Sequence, residues 1–168
     1  MSEQHVEPWL SGRLAGEHPG IAPLLYSFRQ AMEDLEKWTE GLSDEQMWVR
    51  PFGLGSVGFQ LQHIAGSSER LLTYAQGKAL TTEQLAAMKA EGQPTGTRDE
   101  LLRSVRDTFS RLEQLVRGLD TNHLFEARGV GRKQLPTTVI GLLTHTAEHI
   151  QRHVGEAIIT AKVVRATS

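Results

Sequence analysis

An all-α fold, a four-helix bundle with short extra helices and an N-terminal arm, is what the sequence predicts, and three observations carry it. Four long stretches repeat apolar residues at intervals of three and four, the spacing of one helix face. Serine or threonine precedes two helical stretches with glutamine or glutamate three positions later, the pattern of a helix start. No stretch alternates apolar and polar residues in the manner of a half-buried strand. Helices with one apolar stripe each bury those stripes only against one another, and four of them close a bundle. A chain of 168 residues suffices for one sizeable core, so residues 1–168 are expected to form a single domain.

Residues 1–19 are polar and interrupted by Pro8, Gly12, Gly16 and Pro19, which predicts a surface arm packed through Trp9 and Leu10. Between residues 20 and 41, Leu24, Leu25, Phe28, Met32 and Leu35 recur at helical spacing, with Leu42 just beyond. The motif SDEQ from Ser43 is a capping box, in which the serine and Gln46 each satisfy an orphan backbone N–H. It opens a short turn that carries Trp48 and stops before Pro51. PFGLGS is glycine-rich but lacks the spacing and lysine of a phosphate-binding loop, so it reads as a connector. Ser56 then caps a second long helix that ends at Gly77, with a stripe of Val57, Leu61, Ile64, Leu71, Leu72 and Ala75. His63 lies to one side of that stripe, on the strip of Phe59, Ser67 and Tyr74, and periodicity alone leaves it at an edge.

Residues 81–91 form a short exposed helix, and GQPTG is a linker by composition. Thr97 and Glu100 supply another capping box for the third long helix, marked by Leu101, Val105, Phe109, Leu112 and Val116. Its other face, with Arg103, Arg106, Asp107, Arg111 and Glu113, reads as solvated. The loop 119–136 contains RGVGRKQLP, a small basic cluster that serves either solubility or an anionic ligand.

The last long helix, 137–164, follows a proline that suits helix entry. It places His145, His149 and His153 four residues apart in succession, one above another on a helix of about 3.6 residues per turn. Its apolar stripe runs through Val139, Leu142, Leu143, Thr146, Ile150 and Ala157. His153 falls within that stripe, His149 toward its edge and His145 beyond it, so His149 and His153 are the two that point inward. Two buried imidazoles need partners, and such a pair is either hydrogen-bonded or a clamp for a metal ion. The spacing leaves both readings open.

A formal net charge of -2 and no basic run argue against nucleic acid or an anionic membrane as partners. Without cysteine, disulfides, thiolate metal sites and a cysteine nucleophile are excluded, and any metal must use nitrogen or oxygen ligands. The N-terminus lacks a signal peptide's basic start and apolar run, and no stretch has the length of a membrane-spanning helix, so a cytoplasmic protein is expected.

EPWL near the start, LSDEQMWVRP, SVGFQLQHIAGSSERLL and LPTTVIGLLTHTAEHIQRHVGEAI together resemble the DinB/YfiT-like superfamily over nearly the whole chain. The resemblance implies a four-helix bundle whose metal is held by one histidine of the second long helix and two of the last. Carried onto this sequence, the ligands are His63, from HIAGSSE, with His149 and His153, from HIQRHVG. The usual family ending HRGQ reads HVGE here, which keeps the ligand and removes an arginine. Three neutral imidazoles on zinc, nickel or iron leave coordination positions open, an arrangement catalytic in character. Such a site suits a metal-dependent hydrolase, and the resemblance suggests a transferase or isomerase using a low-molecular-weight thiol such as mycothiol or bacillithiol, acting on a small molecule. Glu69 and Glu156 lie near the ligands in sequence, but helix position puts each toward a rim, and no general base is named. The alternative is a non-catalytic metal-binding stress-response bundle that acts as a homodimer or through a protein partner. A cavity lined by Phe59, Trp48 or Tyr74 beside the metal favours the enzyme, and a broad apolar face favours assembly.

Overall fold

A computed structural model describes residues 6–12 and 14–167. Four long helices form the bundle: α1 (Ala22–Thr39), α3 (Val57–Ala75), α5 (Arg98–Arg117) and α6 (Val139–Thr167). Two short ones, α2 (Asp44–Met47) and α4 (Thr82–Ala90), lie between them. The starts follow the side-chain chemistry read above. Ser43 with Gln46 and Thr97 with Glu100 close capping boxes, and the Ser56 hydroxyl accepts from the Phe59 N–H. Thr81 and Gln84 close a further box at α4, a helix that buries no residue. From its first turn the Gln84 amide donates to the Thr73 hydroxyl of α3.

Inside the ring formed by α1, α6, α3 and α5, the stripes meet. Phe28, Leu35, Leu61, Ile64, Leu112, Leu143 and Ile150 are among the fully buried side chains, and the Phe28 and Phe109 rings stack at 5.8 Å. Burying side chains of this size stabilises by about 1.5–3 kcal/mol each, and that drives the ring closed. No helix among the described residues is long and apolar enough to cross a membrane.

Side-chain bonds fix the directions that chain order alone leaves open. Gln151 reaches Ser27, and Arg165 reaches the carbonyls of Trp38 and Glu40, so α1 and α6 run parallel. Thr160 of α6 bonds Gly55 ahead of α3 while His149 meets His63, so those two helices run antiparallel. Gln62 meets Thr95 just ahead of α5, and Glu69 meets Arg111 within it, so α3 and α5 are parallel. A parallel pair needs a return connection. Residues 76–97 supply it, and they lay Glu91 to Thr95 beside the first half of α3.

Three expectations need correction. Trp9 and Leu10 are exposed, and the described part of the N-terminal arm is held instead by buried Pro8 and Leu14, whose N–H donates to the Tyr26 hydroxyl, residues 1–5 and 13 lying outside the described residues. The loop 119–136 contains strands: β1 (Ala127–Val130) pairs antiparallel with β2 (Leu135–Thr138). The hairpin lies on the surface with neither strand burying an apolar face, so no alternation announces it. Arg128 is spent on docking it, donating to the Ala75 carbonyl and the Glu126 carboxylate, while Arg132 and Lys133 stay exposed at the turn. Because Pro136 and Thr137 belong to β2, α6 begins at Val139, with Thr138 accepting from the Gly141 N–H.

Candidate metal centre

The antiparallel seam of α3 and α6 brings His63, His149 and His153 together. Each offers a ring nitrogen within 4.8 Å of the other two. The His149 and His153 rings, one turn apart on α6, stand 4.5 Å apart, and the His63 ring lies 4.5 Å from His153 and 5.2 Å from His149. On the strip of α3 that periodicity left at an edge, His63 turns into this seam and meets both rings of the pair. The side chains of His63 and His153 are 21 % and 13 % exposed, so the cluster sits in a half-buried groove and His153 does not enter the packed centre. His145, a turn before His149, is exposed and pairs with Glu148 through Nδ1.

Outer partners decide which nitrogen of each ring is free. His63 Nδ1 lies 2.8 Å from Glu91 Oε2, and an ionised carboxylate only accepts, so the ring proton sits on Nδ1 and Nε2 keeps its lone pair. His153 Nδ1 lies 2.7 Å from Oε1 of the Gln60 side-chain amide and 3.1 Å from Glu156 Oε2, which assigns its proton in the same way. His63 Nε2 stands 3.1 Å from His149 Nε2. A proton on the latter or a shared cation reconciles the two nitrogens. Nitrogens bound at about 2.0–2.1 Å to one tetrahedral ion stand roughly 3.3 Å apart, so the His63–His149 pair already has the spacing of two ligands of a divalent metal such as zinc, with the third nitrogen within 4.8 Å of both.

Electrostatics agree with neutral donors. Burial first, then the neighbouring His153, His63 and His145, holds the His149 imidazole down to about 4. Burial also lowers His153, with His63 adding to it and Glu156 opposing. Glu91 is buried in a way that favours its neutral form, yet hydrogen bonds from His63 and Arg70 outweigh that and hold it below the usual carboxylate range. Two neutral imidazoles and an ionised partner at pH 7 are what a cation needs.

Glu91, Gln60 and Arg70 are functional candidates that sequence reading missed. Gln60 lies three residues before His63 and shares its side of α3, a signal that helical spacing contains. Glu91 lies 28 residues away across a linker, and nothing in the spacing announces it. Of the carboxylates weighed earlier, Glu69 pairs with Arg111 away from the cluster, and Glu156 touches His153 from an exposed position. Phe59 stacks on His63 at 5.5 Å, while Trp48 packs beneath α3 against Gly58. Tyr74 is eleven residues along the helix, roughly 16 Å away at about 1.5 Å per residue. Of the three aromatics, Phe59 is the one whose ring stacks on a histidine of the cluster. Val154, where the family ending carries arginine, is buried in the core.

A helical bundle whose second and last long helices converge three imidazoles, able to hold a divalent ion, defines the class. The chain belongs to the DinB superfamily, whose sequence model matches residues 27–157 and so spans all three histidines. Among curated proteins no sequence matches it.

Proposed function

We propose that the protein is a metal-dependent enzyme whose divalent ion is held by His63, His149 and His153. The observation that carries this reading is the convergence of three ring nitrogens within 4.8 Å on two helices, with protons assigned away from the convergence at His63 and His153. An all-nitrogen, uncharged donor set supports zinc, nickel or iron over magnesium or calcium. When bound, such an ion supplies Lewis acidity, which polarises a carbonyl or favours ionisation of water or a thiol near pH 7. The reaction class that fits is hydrolysis, or transfer or isomerisation using a low-molecular-weight thiol, on a small-molecule substrate in the cytoplasm.

The chain's own groups set up that chemistry. Gln60 orients the His153 ring, and Phe59 covers one side of His63 from water. Glu156, beside His153 and open to solvent, can take up a proton released at the rim. The second reading, a non-catalytic homodimer, draws support from Phe52: it is held almost fully exposed at φ 51 on a turn that packs against α6.

Zinc titration of tag-free, chelator-treated protein tests the first reading. We expect one ion per chain and a loss of at least about 100-fold in affinity for His149→Ala, since losing a ligand costs no less than losing an outer partner, itself worth about 10–100-fold. Unchanged affinity sinks the ligand set. Sedimentation of the same samples reports whether the chain self-associates, and a dimer lacking turnover with any thiol or ester tested favours the second reading.

A further inference from the structure

We infer that Glu91 is a positioning residue of this centre, so that the segment between α4 and α5 completes a site whose ligands lie on α3 and α6. The inference rests on the metal reading above. Glu91 Oε2 accepts from His63 Nδ1 at 2.8 Å, and Arg70 clamps the same carboxylate, with Nη1 2.5 Å from Oε1 and Nη2 3.3 Å from Oε2. The side chains of Glu91 and Arg70 are each only 11 % exposed. A carboxylate withdrawn from water this far needs its partners, and here a guanidinium holds one side while an imidazole N–H takes the other. The relay Arg70–Glu91–His63 fixes the ring's proton and its rotation, which frees Nε2 for a ligand role.

The rest of the segment is tied down by Gln62 of α3 and by Arg50. Gln62 accepts from the Gly92 N–H at 3.1 Å and donates to Thr95 Oγ1 at 2.6 Å, and Arg50 donates to the Gly92 carbonyl at 3.0 Å. Gly92 turns the chain at φ +87, a left-handed conformation that favours glycine. Beneath the carboxylate, α3 presents Gly66, where an added Cβ would stand 2.2 Å from Glu91 Oε1 and 3.0 Å from Arg70 Nη1. A side chain there evicts the carboxylate from its seat. The bareness of α3 at Gly66 and the fold of the return segment thus converge on one contact to His63.

Glu91→Gln and Gly66→Ala, compared with wild type and His149→Ala, test this. The readouts are zinc affinity by chelator competition, the visible spectrum of the cobalt(II)-loaded protein, and the melting temperature of the metal-free protein. Glu91→Gln removes the charge and keeps the shape; Gly66→Ala keeps the charge and spoils its seat. Both are expected to lose about 10–100-fold in zinc affinity and to shift the cobalt spectrum at saturation, with Glu91→Asp recovering part of the affinity. A purely structural contact would lower the melting temperature and leave the saturated spectrum unmoved. Wild-type affinity and spectrum in Glu91→Gln, with His149→Ala impaired, overturn the role of Glu91 alone. A wild-type protein that binds no divalent ion overturns the metal reading and this inference with it.

Discussion

Two groups of charges on this bundle use the same residue types to different ends. Between α1 and α5, Arg106 meets Glu36 at 2.5 Å with side chains 55 % and 45 % exposed. Between α3 and the return segment, Arg70 meets Glu91 with both side chains 11 % exposed, and the carboxylate passes on to His63. The first pair keeps its water, so forming it gains little and losing it costs little. The second pair has given up most of its hydration, and each member depends on the other. Burial therefore separates a solvated decoration from a device that orients an imidazole.

Removing one member of the inner pair gives the largest expected effect. Arg70→Met leaves Glu91 inside without its guanidinium, and the metal-free protein should lose about 3 kcal/mol in urea unfolding. Replacing both groups sharpens the comparison. Arg70→Met with Glu91→Leu restores an apolar fit and should recover most of the lost stability without recovering zinc affinity. A double variant that binds zinc as wild type does would make the inner pair a structural contact like the outer one.

Acid probes the same contrast next. An unfolded His149 titrates near 6.5, whereas the folded ring stays neutral down to about 4. Below pH 6.5 the unfolded chain takes up a proton that the folded chain refuses, so stability present above that pH falls as pH drops toward 4 and then levels. Glu91, with its folded value lowered from 4.5, adds a loss of the same sign once pH passes below 4.5. Metal-free protein unfolded in urea at pH 7, 6, 5 and 4 should show a falling midpoint, and His149→Phe should make the part above pH 4.5 shallower, leaving the loss of the same sign that His153 contributes. Exposed His123 works in the opposite direction. Its hydrogen bond and charge contact with Glu126, and then Asp120, raise it, so any stability it adds lies at acid pH and fades as pH rises. Solvent and salt screen that contribution, and the inner groups should set the sign of the curve.

These differences track what a sequence can announce. The four long helices and the capping residues Ser43, Ser56 and Thr97 are legible because period and cap chemistry act within a few residues. His149 and His153 are legible for the same reason, since four residues along one helix fix their relation. His63 needed the family resemblance, because the face it shows to α6 depends on how two helices are rotated against each other. Glu91 and Arg70 were out of reach. Their meeting requires α3 and α5 to run parallel, which sends residues 76–97 back along α3, and chain order leaves that choice open. The β1–β2 hairpin was hidden differently: with no buried apolar face, its strands are held by backbone pairing and Arg128, and neither leaves a periodic mark.

The outer pair predicts the smallest change. Arg106→Ala removes an ion pair whose partners stay hydrated, and its unfolding free energy should fall by no more than about 0.5 kcal/mol. Because both charges face solvent, even that difference should vanish near 1 M salt, where screening acts within about 3 Å. The deficit of Arg70→Met should persist under the same salt, since ions reach a side chain that is 11 % exposed far less readily. Equal salt sensitivity in the two variants would mean that water reaches Glu91 as freely as it reaches Glu36. The carboxylate on His63 would then have no more hold on the imidazole than a surface charge has on its neighbour.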